Sequence, residues 1–212
     1  MLLRWLKTGG ILLMIRVVGI GPGETSYMTQ RGKKLIEEAE LVIGANRHLE
    51  EWKNVAKETM ELPALSKLID FLKEYKEEVV VLASGDPLTY GIGKYLVEKL
   101  GTKNVEIVSG ISSMQYFFSK IPMDMNDLYI TSGHGKDPNF DMILNLSKVA
   151  MVTDEKWTPQ KISREIIDRN LKKIIYVGEN LSYPDEKITV GRPSEILNMP
   201  NFDMNVVVII DA

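Results

Sequence analysis

Short apolar runs alternate with segments of helical periodicity through the first half of this chain. The strand-like runs lie at residues 15–20, 41–43, 78–83 and 105–108. The helical segments lie at residues 29–39, 48–52, 66–75 and 96–100. Strands that alternate with helices form right-handed crossovers and a parallel sheet. The pattern therefore predicts an α/β domain with a mainly parallel sheet over residues 15–123.

The rhythm changes at IPMDMND, residues 121–127, and we place a domain boundary there. The strand-like runs beyond it are LYITS, KVAMVT, KIIYVG, EKITV and NVVVII, with one clear helix at residues 159–170. Strands near the C-terminus follow one another with too little chain for helical crossovers, so some must be antiparallel. A second α/β domain with a mixed sheet is predicted for residues 124–212, with a cleft between the domains.

The residue composition restricts the available chemistry. The 212 residues include no cysteine and only the histidines His48 and His134, so we expect neither disulfides nor a metal centre. The net charge of −3 is dispersed, which argues against nucleic-acid or membrane partners. Residues 1–14 are interpreted as an N-terminal extension, because Met14 stands directly before the first predicted strand. Their apolar patch is too short to span a membrane, and no signal-peptide cleavage site follows. A cytoplasmic location is expected.

Three loops follow predicted strands and contain the least ordinary sequence of the chain. They are GIGPGE at residues 19–24, SGDPLTYG at residues 84–91 and SGISS at residues 109–113. Ligands of open α/β sheets bind at the carboxyl ends of the strands. We therefore expect these loops to meet at one edge of the first sheet.

The first loop does not match the common nucleotide-binding fingerprints. Glu24 stands where a dinucleotide loop has its third glycine, and Pro22 removes an amide that a phosphate would use. The G-x-x-x-x-G-K-[ST] pattern of a P-loop is absent from the sequence. The glycines alone are also compatible with a tight turn that needs positive φ.

Several candidate residues have structural alternatives that the sequence leaves open. Asp86 and Pro87 form a rigid turn that presents a carboxylate to a ligand, or an Asx-turn without one. Ser112 or Ser113 is typical of a helix N-cap. His134, in the loop TSGHG, is a substrate contact or a structural histidine.

The order and spacing of GIGPGE, SGDPLTYG and SGISSMQ resemble those of the tetrapyrrole methylases, from residue 15 to about residue 210. These are S-adenosylmethionine-dependent methyltransferases. Glu24 and Ser109 depart from the family, which commonly has aspartate and proline at these positions. The resemblance implies that the cofactor lies against the Gly-Asp-Pro loop and that the first glycine loop lines the tetrapyrrole trough. The cofactor-binding residues it implies are Pro22, Gly85, Asp86, Pro87, Tyr90, Ser112 and Ser113.

The tetrapyrrole has many carboxylates and needs cationic contacts. The substrate-binding residues that we expect are Gly21, Gly23, Arg47, His48, His134 and Lys136. No catalytic residue and no metal ligand is assigned.

Three further segments, GANRHLE, TDEKWTP and YVGENLSYPDEKI, resemble the branch of the family that methylates C5 of precorrin or cobalt-precorrin rings in cobalamin (vitamin B12) biosynthesis. The resemblance also implies a homodimer. Because the chain has no room for an extra domain, methylation at C15 with decarboxylation is expected from a separate protein. Two alternatives remain. One is a methylase of the same fold with another acceptor, as in diphthine synthase or ribosomal RNA methylases, and the other is a non-catalytic module that binds a nucleotide or a tetrapyrrole.

Overall fold

The computed structural model describes residues 14–212. The chain divides into two compact units, of which the first ends at Gly21 and resumes over Thr25–Ile111. The second unit consists of Pro22–Glu24 and Ser112–Ala212. The division thus falls earlier than the predicted boundary after residue 123. Of the predicted N-terminal extension, residues 1–13 lie outside the described residues.

The first unit is a parallel sheet with helices on both faces. Its elements are β1 (Ile15–Gly19), α1 (Gln30–Glu38), β2 (Leu41–Gly44), α2 (Asn46–Leu49), β3 (Thr59–Glu61), α3 (Leu65–Glu74), β4 (Val79–Ala83), α4 (Gly93–Leu100) and β5 (Val105–Val108). The strand order is β3-β2-β4-β1-β5, and every pairing is parallel. The predicted parallel α/β fold is confirmed.

The apolar runs of the central strands are buried on both faces. Val17 of β1 packs in one cluster with α3 and α4, whereas Val18 packs in another with Ile36 of α1. Successive side chains of a strand point to opposite faces of the sheet, so a continuous apolar run supplies both clusters.

The second unit contains a mixed sheet. Its elements are α5 (Ser113–Lys120), β6 (Tyr129–Ser132), α6 (Phe140–Ile143), β7 (Lys148–Val152), α7 (Pro159–Asp168), β8 (Lys173–Glu179), β9 (Lys187–Gly191), α8 (Pro193–Leu197) and β10 (Asn205–Asp211). The strand order is β6-β7-β10-β8-β9, in which only β6 and β7 are parallel. The predicted mixed sheet is confirmed. Within the described residues, no helix is both long enough and apolar enough to cross a membrane.

Candidate functional site

Three loops meet at the carboxyl edge of the first sheet. Strands β4, β1 and β5 are neighbours and run parallel, so the loops that follow them emerge side by side. The Gly21 amide donates to the Gly85 carbonyl oxygen at 3.3 Å, and the Gly85 amide donates to the Gly21 carbonyl oxygen at 2.9 Å. The predicted convergence of the loops is confirmed.

The loops approach each other so closely that glycine is required where they touch. A Cβ atom on Gly19 would lie 2.6 Å from the Gly85 carbonyl oxygen, and one on Gly110 would lie 2.2 Å from the same atom. Gly21 also has a φ of +88°, so the tight-turn interpretation of the first loop is confirmed. Backbone atoms, rather than side chains, therefore form the floor of this edge.

The Asp86 carboxylate holds two of the loops together. Its Oδ1 accepts hydrogen bonds from the Leu88 amide at 2.9 Å and the Thr89 hydroxyl at 3.4 Å, which is the geometry of an Asx-turn. Its Oδ2 accepts from the Gly110 amide at 3.3 Å. The Asx-turn itself is confirmed, and both oxygens have partners within the chain. Asp86 therefore fixes the shape of the loop, and a direct contact with a ligand stays a prediction.

The rest of the Gly-Asp-Pro loop leads into α4. Pro87 is buried, and its carbonyl oxygen accepts from the Gly93 amide at 2.9 Å at the start of α4. Tyr90 is 49% exposed and has a φ of +57°, a conformation that a residue with a side chain adopts only under strain. Strained residues of this kind cluster at ligand sites.

The charge of the three loops suits a cationic ligand. Residues 19–29, 84–92 and 109–115 contain the carboxylates of Glu24 and Asp86 and no lysine or arginine. Phosphate binding relies on basic side chains or a helix N-terminus with free amides. The loops thus offer the opposite charge to that of a nucleotide-phosphate site.

Gly23 and Glu24 lie against the turn that follows β8, and the preceding Pro22 is buried. The Glu24 amide donates to the Ser182 hydroxyl at 2.9 Å. A Cβ atom on Gly23 would lie 2.7 Å from that hydroxyl oxygen and 2.8 Å from the Tyr183 ring. Ser182 and Tyr183 were not predicted as residues that shape the first loop, because the segment YVGENLSYPDEKI contributed only to a resemblance.

Ser112 and Ser113 begin α5. The Ser112 hydroxyl accepts from the Gln115 amide at 3.1 Å, and the Ser112 amide donates to the Gln115 side-chain oxygen at 2.9 Å. This capping box confirms Ser112 as the N-cap. Ser113 is half-buried in the first turn. Cofactor contacts by the two serines stay predictions.

Arg47 and His48 lie on α2, which follows β2 at the carboxyl edge of the first sheet. Arg47 is exposed and His48 is buried, with the Arg47 Nε donating to the His48 Nε2 at 3.1 Å. Burial, and secondarily the charge of Arg47, lower the pKa of His48 to about 4. The ring is therefore neutral at neutral pH, and a substrate contact at His48 stays a prediction.

His134 and Lys136 are exposed in the loop after β6. The loop is tied to the one after β7, because Asp154 accepts from the Gly135 amide at 3.2 Å and from the Trp157 amide at 2.8 Å. These backbone hydrogen bonds, that of Trp157 foremost, lower the pKa of Asp154. Asp154 and Trp157 were not predicted from the sequence, although both lie in the segment TDEKWTP.

The predicted site residues fall into separate groups. In the first unit, Gly21, Gly85 and Asp86 share one loop cluster. In the second unit, β7 and β10 separate the strand that precedes His134 from the strand that precedes Ser182. Among residues 14–212, no group of three or more His, Cys, Asp or Glu side chains is arranged to hold a metal ion.

Comparison with known proteins identifies the family. Residues 14–197 match the family model described as Tetrapyrrole (Corrin/Porphyrin) Methylases, so the chain belongs to this family. The family resemblance of the three loops is thereby confirmed.

Two curated relatives are similar over nearly their whole length. The cobalt-precorrin-7 C(5)-methyltransferase of Salmonella typhimurium is 38% identical over 201 residues, which cover 93% of this chain and 99% of the relative. The probable cobalt-precorrin-7 C(5)-methyltransferase of Methanocaldococcus jannaschii is 35% identical, covering 87% of this chain and 92% of the relative.

A solved structure supports the fold. The uroporphyrin-III C-methyltransferase of Thermus thermophilus, complexed with S-adenosylhomocysteine, superposes with a TM-score of 0.76 at 18% identity. The match covers 93% of this chain and 97% of that one.

Proposed function

We propose that this protein is an S-adenosylmethionine-dependent methyltransferase that methylates C5 of cobalt-precorrin-7, or of its cobalt-free counterpart, in cobalamin biosynthesis. The observation that carries the proposal is the 38% identity to the Salmonella enzyme over 93% of this chain. The resemblance of YVGENLSYPDEKI to the C5-methylating branch points to the same acceptor.

The chemistry of the loops fits S-adenosylmethionine as cofactor. Its sulfonium is a cation, and the three loops contain two carboxylates and no basic side chain. Gly85, Asp86, Pro87 and Tyr90 are the proposed contacts in the first unit, and Pro22, Ser112 and Ser113 those in the second. When bound, the cofactor supplies an electrophilic methyl group. S-adenosylhomocysteine in the Thermus relative supports this assignment.

The protein contributes mainly by orienting the reactants. Alignment of two reactants can supply on the order of 7 to 11 kcal/mol of the barrier. Rigid loops are needed for such alignment. The glycine contacts between the loops and the hydrogen bonds of Asp86 provide that rigidity.

The proposed substrate is a tetrapyrrole ring with several carboxylates, which exposed basic side chains can bind. Arg47 and Lys136 are the proposed cationic contacts, with Gly21 and Gly23 lining the ring. His134 is the proposed third polar contact. Buried, neutral His48 supports the position of Arg47 through their hydrogen bond instead of carrying charge itself.

We also propose a homodimer and a separate enzyme for C15 methylation and decarboxylation. The edge strand β9 supports self-association, because Ile188 and Val190 on it are 36% and 50% exposed. The cytoplasmic location stays a prediction from composition. Light scattering should give twice the chain mass at micromolar concentration, and a monomer would contradict the dimer.

Turnover with defined acceptors tests the proposed function. Purified protein should convert S-adenosylmethionine to S-adenosylhomocysteine when cobalt-precorrin-7 is present, and the tetrapyrrole should gain the mass of one methylene. A protein that binds S-adenosylhomocysteine but methylates neither cobalt-precorrin-7 nor its cobalt-free counterpart would contradict the proposed acceptor. A protein that binds neither S-adenosylhomocysteine nor a precorrin would contradict the whole proposal.

A further inference from the structure

The turn after β8 is held in a conformation that needs support. Asn180 and Ser182 have φ values of +47° and +67°, although neither is glycine. Such residues cost free energy and persist only where the surroundings fix them. The Tyr183 amide donates to the Asn180 carbonyl oxygen at 2.9 Å, which closes the turn.

Glu186 is the group that fixes Ser182. Its Oε2 accepts from the Ser182 amide at 2.7 Å, and its Oε1 lies 3.3 Å from the Lys120 Nζ. Lys120 also lies over the ring of Tyr116, 5.2 Å from the centroid. Both Lys120 and Tyr116 belong to α5, so the carboxylate connects the turn to a capped helix.

The protonation states of these groups are fixed at neutral pH. Burial and a hydrogen bond with Glu186 raise the pKa of Tyr116 to about 12, so the phenol stays protonated and donates. Burial raises the pKa of Glu186, but hydrogen bonds with Tyr116, Ser182 and Lys120 together lower it. Glu186 is therefore an ionised acceptor.

This arrangement fixes the backbone of the first glycine loop. Ser182, held by its own amide, uses its hydroxyl to accept from the Glu24 amide at 2.9 Å. The same hydroxyl and the Tyr183 ring fill the space beside Gly23, where a Cβ atom would lie within 2.8 Å of both.

We infer that Ser182, fixed by Glu186, is a positioning residue that holds the Gly23–Glu24 end of the glycine loop in place for binding the tetrapyrrole. The inference rests on the proposed function, because that function makes this end of the loop a substrate contact. Ser182 acts through the backbone of the loop and does not itself touch the reacting atoms.

A pair of glycine substitutions in the same turn tests the inference. Ser182→Gly removes the hydroxyl while relieving the positive φ, so the variant should fold. Asn180→Gly is the matched control: it also relieves a positive φ and loses a side-chain hydrogen bond, which Asn180 donates to Asp185 at 2.7 Å. The control leaves the Glu24 contact intact.

Three measurements distinguish a specific role of Ser182 in positioning the glycine loop from a general loss of rigidity in the turn. In Ser182→Gly the Glu24 amide should exchange its hydrogen faster, and KM for cobalt-precorrin-7 should rise by about tenfold, the size of one lost hydrogen bond. Affinity for S-adenosylhomocysteine should stay within about twofold, because Pro22, the proposed cofactor contact of this loop, precedes the Gly23–Glu24 end that loses the hydrogen bond. Asn180→Gly should change none of the three.

The contradicting outcomes are distinct. An unchanged KM in a folded Ser182→Gly variant, or an equal loss of S-adenosylhomocysteine affinity, would overturn the positioning role while leaving the proposed function intact. Absence of turnover in the unsubstituted protein would refute the proposed function, and with it the catalytic part of the inference.

Discussion

Single residues in this protein act more through the backbone than through direct chemistry. Asp86 was predicted as a ligand contact, and its two oxygens are both used by amides and a hydroxyl of the chain. His48 was predicted as a cation, and burial makes it neutral. The residue types could be picked from the sequence, but their partners could not, because the Gly110 amide that binds Asp86 is 24 positions away.

Asp86→Ala should lower both stability and cofactor affinity. The Gly110 and Leu88 amides lose their side-chain acceptor, so the free energy of unfolding should fall by about 1 to 3 kcal/mol. S-adenosylhomocysteine affinity should fall about tenfold, because the loop loses its shape. Denaturant unfolding and calorimetry measure the two effects, with Asp70→Ala on the exposed side of α3 as control. Unchanged affinity in a destabilised variant would assign Asp86 to the scaffold alone.

Protonation of His48 should destabilise the fold in mild acid. Its pKa falls from an ordinary 6.5 to about 4, so between these values the unfolded chain binds more protons than the folded one. Stability contributed by the neutral ring is complete above pH 6.5 and is lost progressively as the pH falls toward 4. Urea unfolding from pH 7 to about pH 4.5 should show a steeper loss for the natural protein than for His48→Gln. The same dependence of unfolding free energy on pH in both proteins would contradict a lowered pKa for His48.

At the scale of elements, strands with continuous apolar runs were predictable, whereas β3, α6 and α8 were not. β3 has the sequence TME and is exposed at both ends, so it has no apolar run to detect. The helices α6 and α8 span four and five residues, too few for a helical period. The domain division differs from the predicted boundary because α5 belongs to the second unit. There the Phe117 ring fills the space beside Gly178.

Only the part of the candidate site that is formed by loops after neighbouring strands was predictable. Strand order brings the loops after β4, β1 and β5 together, and alternation of strands and helices is enough to anticipate that edge. The contact between Glu24 and Ser182 joins residues 158 positions apart. No period or motif in one sequence indicates such a pairing.

Gly110→Ala should disrupt the edge where the three loops meet. The new Cβ atom would lie 2.2 Å from the Gly85 carbonyl oxygen, a backbone atom that cannot rotate away. Stability should fall by about 1 to 3 kcal/mol or more, and S-adenosylhomocysteine affinity should fall with it. Ser109→Ala, at the exposed neighbouring position, is the control for thermal unfolding and calorimetry. Tolerance of Gly110→Ala equal to that of Ser109→Ala would show that the loops are not tightly packed.

At the scale of the whole molecule, the two units have the parallel and mixed sheets of a tetrapyrrole methylase, and the chain has the matching sequence. Methyl transfer from a sulfonium requires alignment of the reactants and no metal ligand. S-adenosylhomocysteine affinity should therefore be the same before and after exhaustive chelation, as measured by calorimetry. Loss of binding that returns when a divalent metal is added would contradict this expectation.

The position of the transferred methyl group tests the central claim most directly. The protein would be incubated with cobalt-precorrin-7 and S-adenosylmethionine labelled with carbon-13 in its methyl group, and the product examined by NMR. The account predicts one labelled methyl group, bonded to C5 of the ring. A label at another ring carbon, or on a non-tetrapyrrole acceptor only, would contradict it.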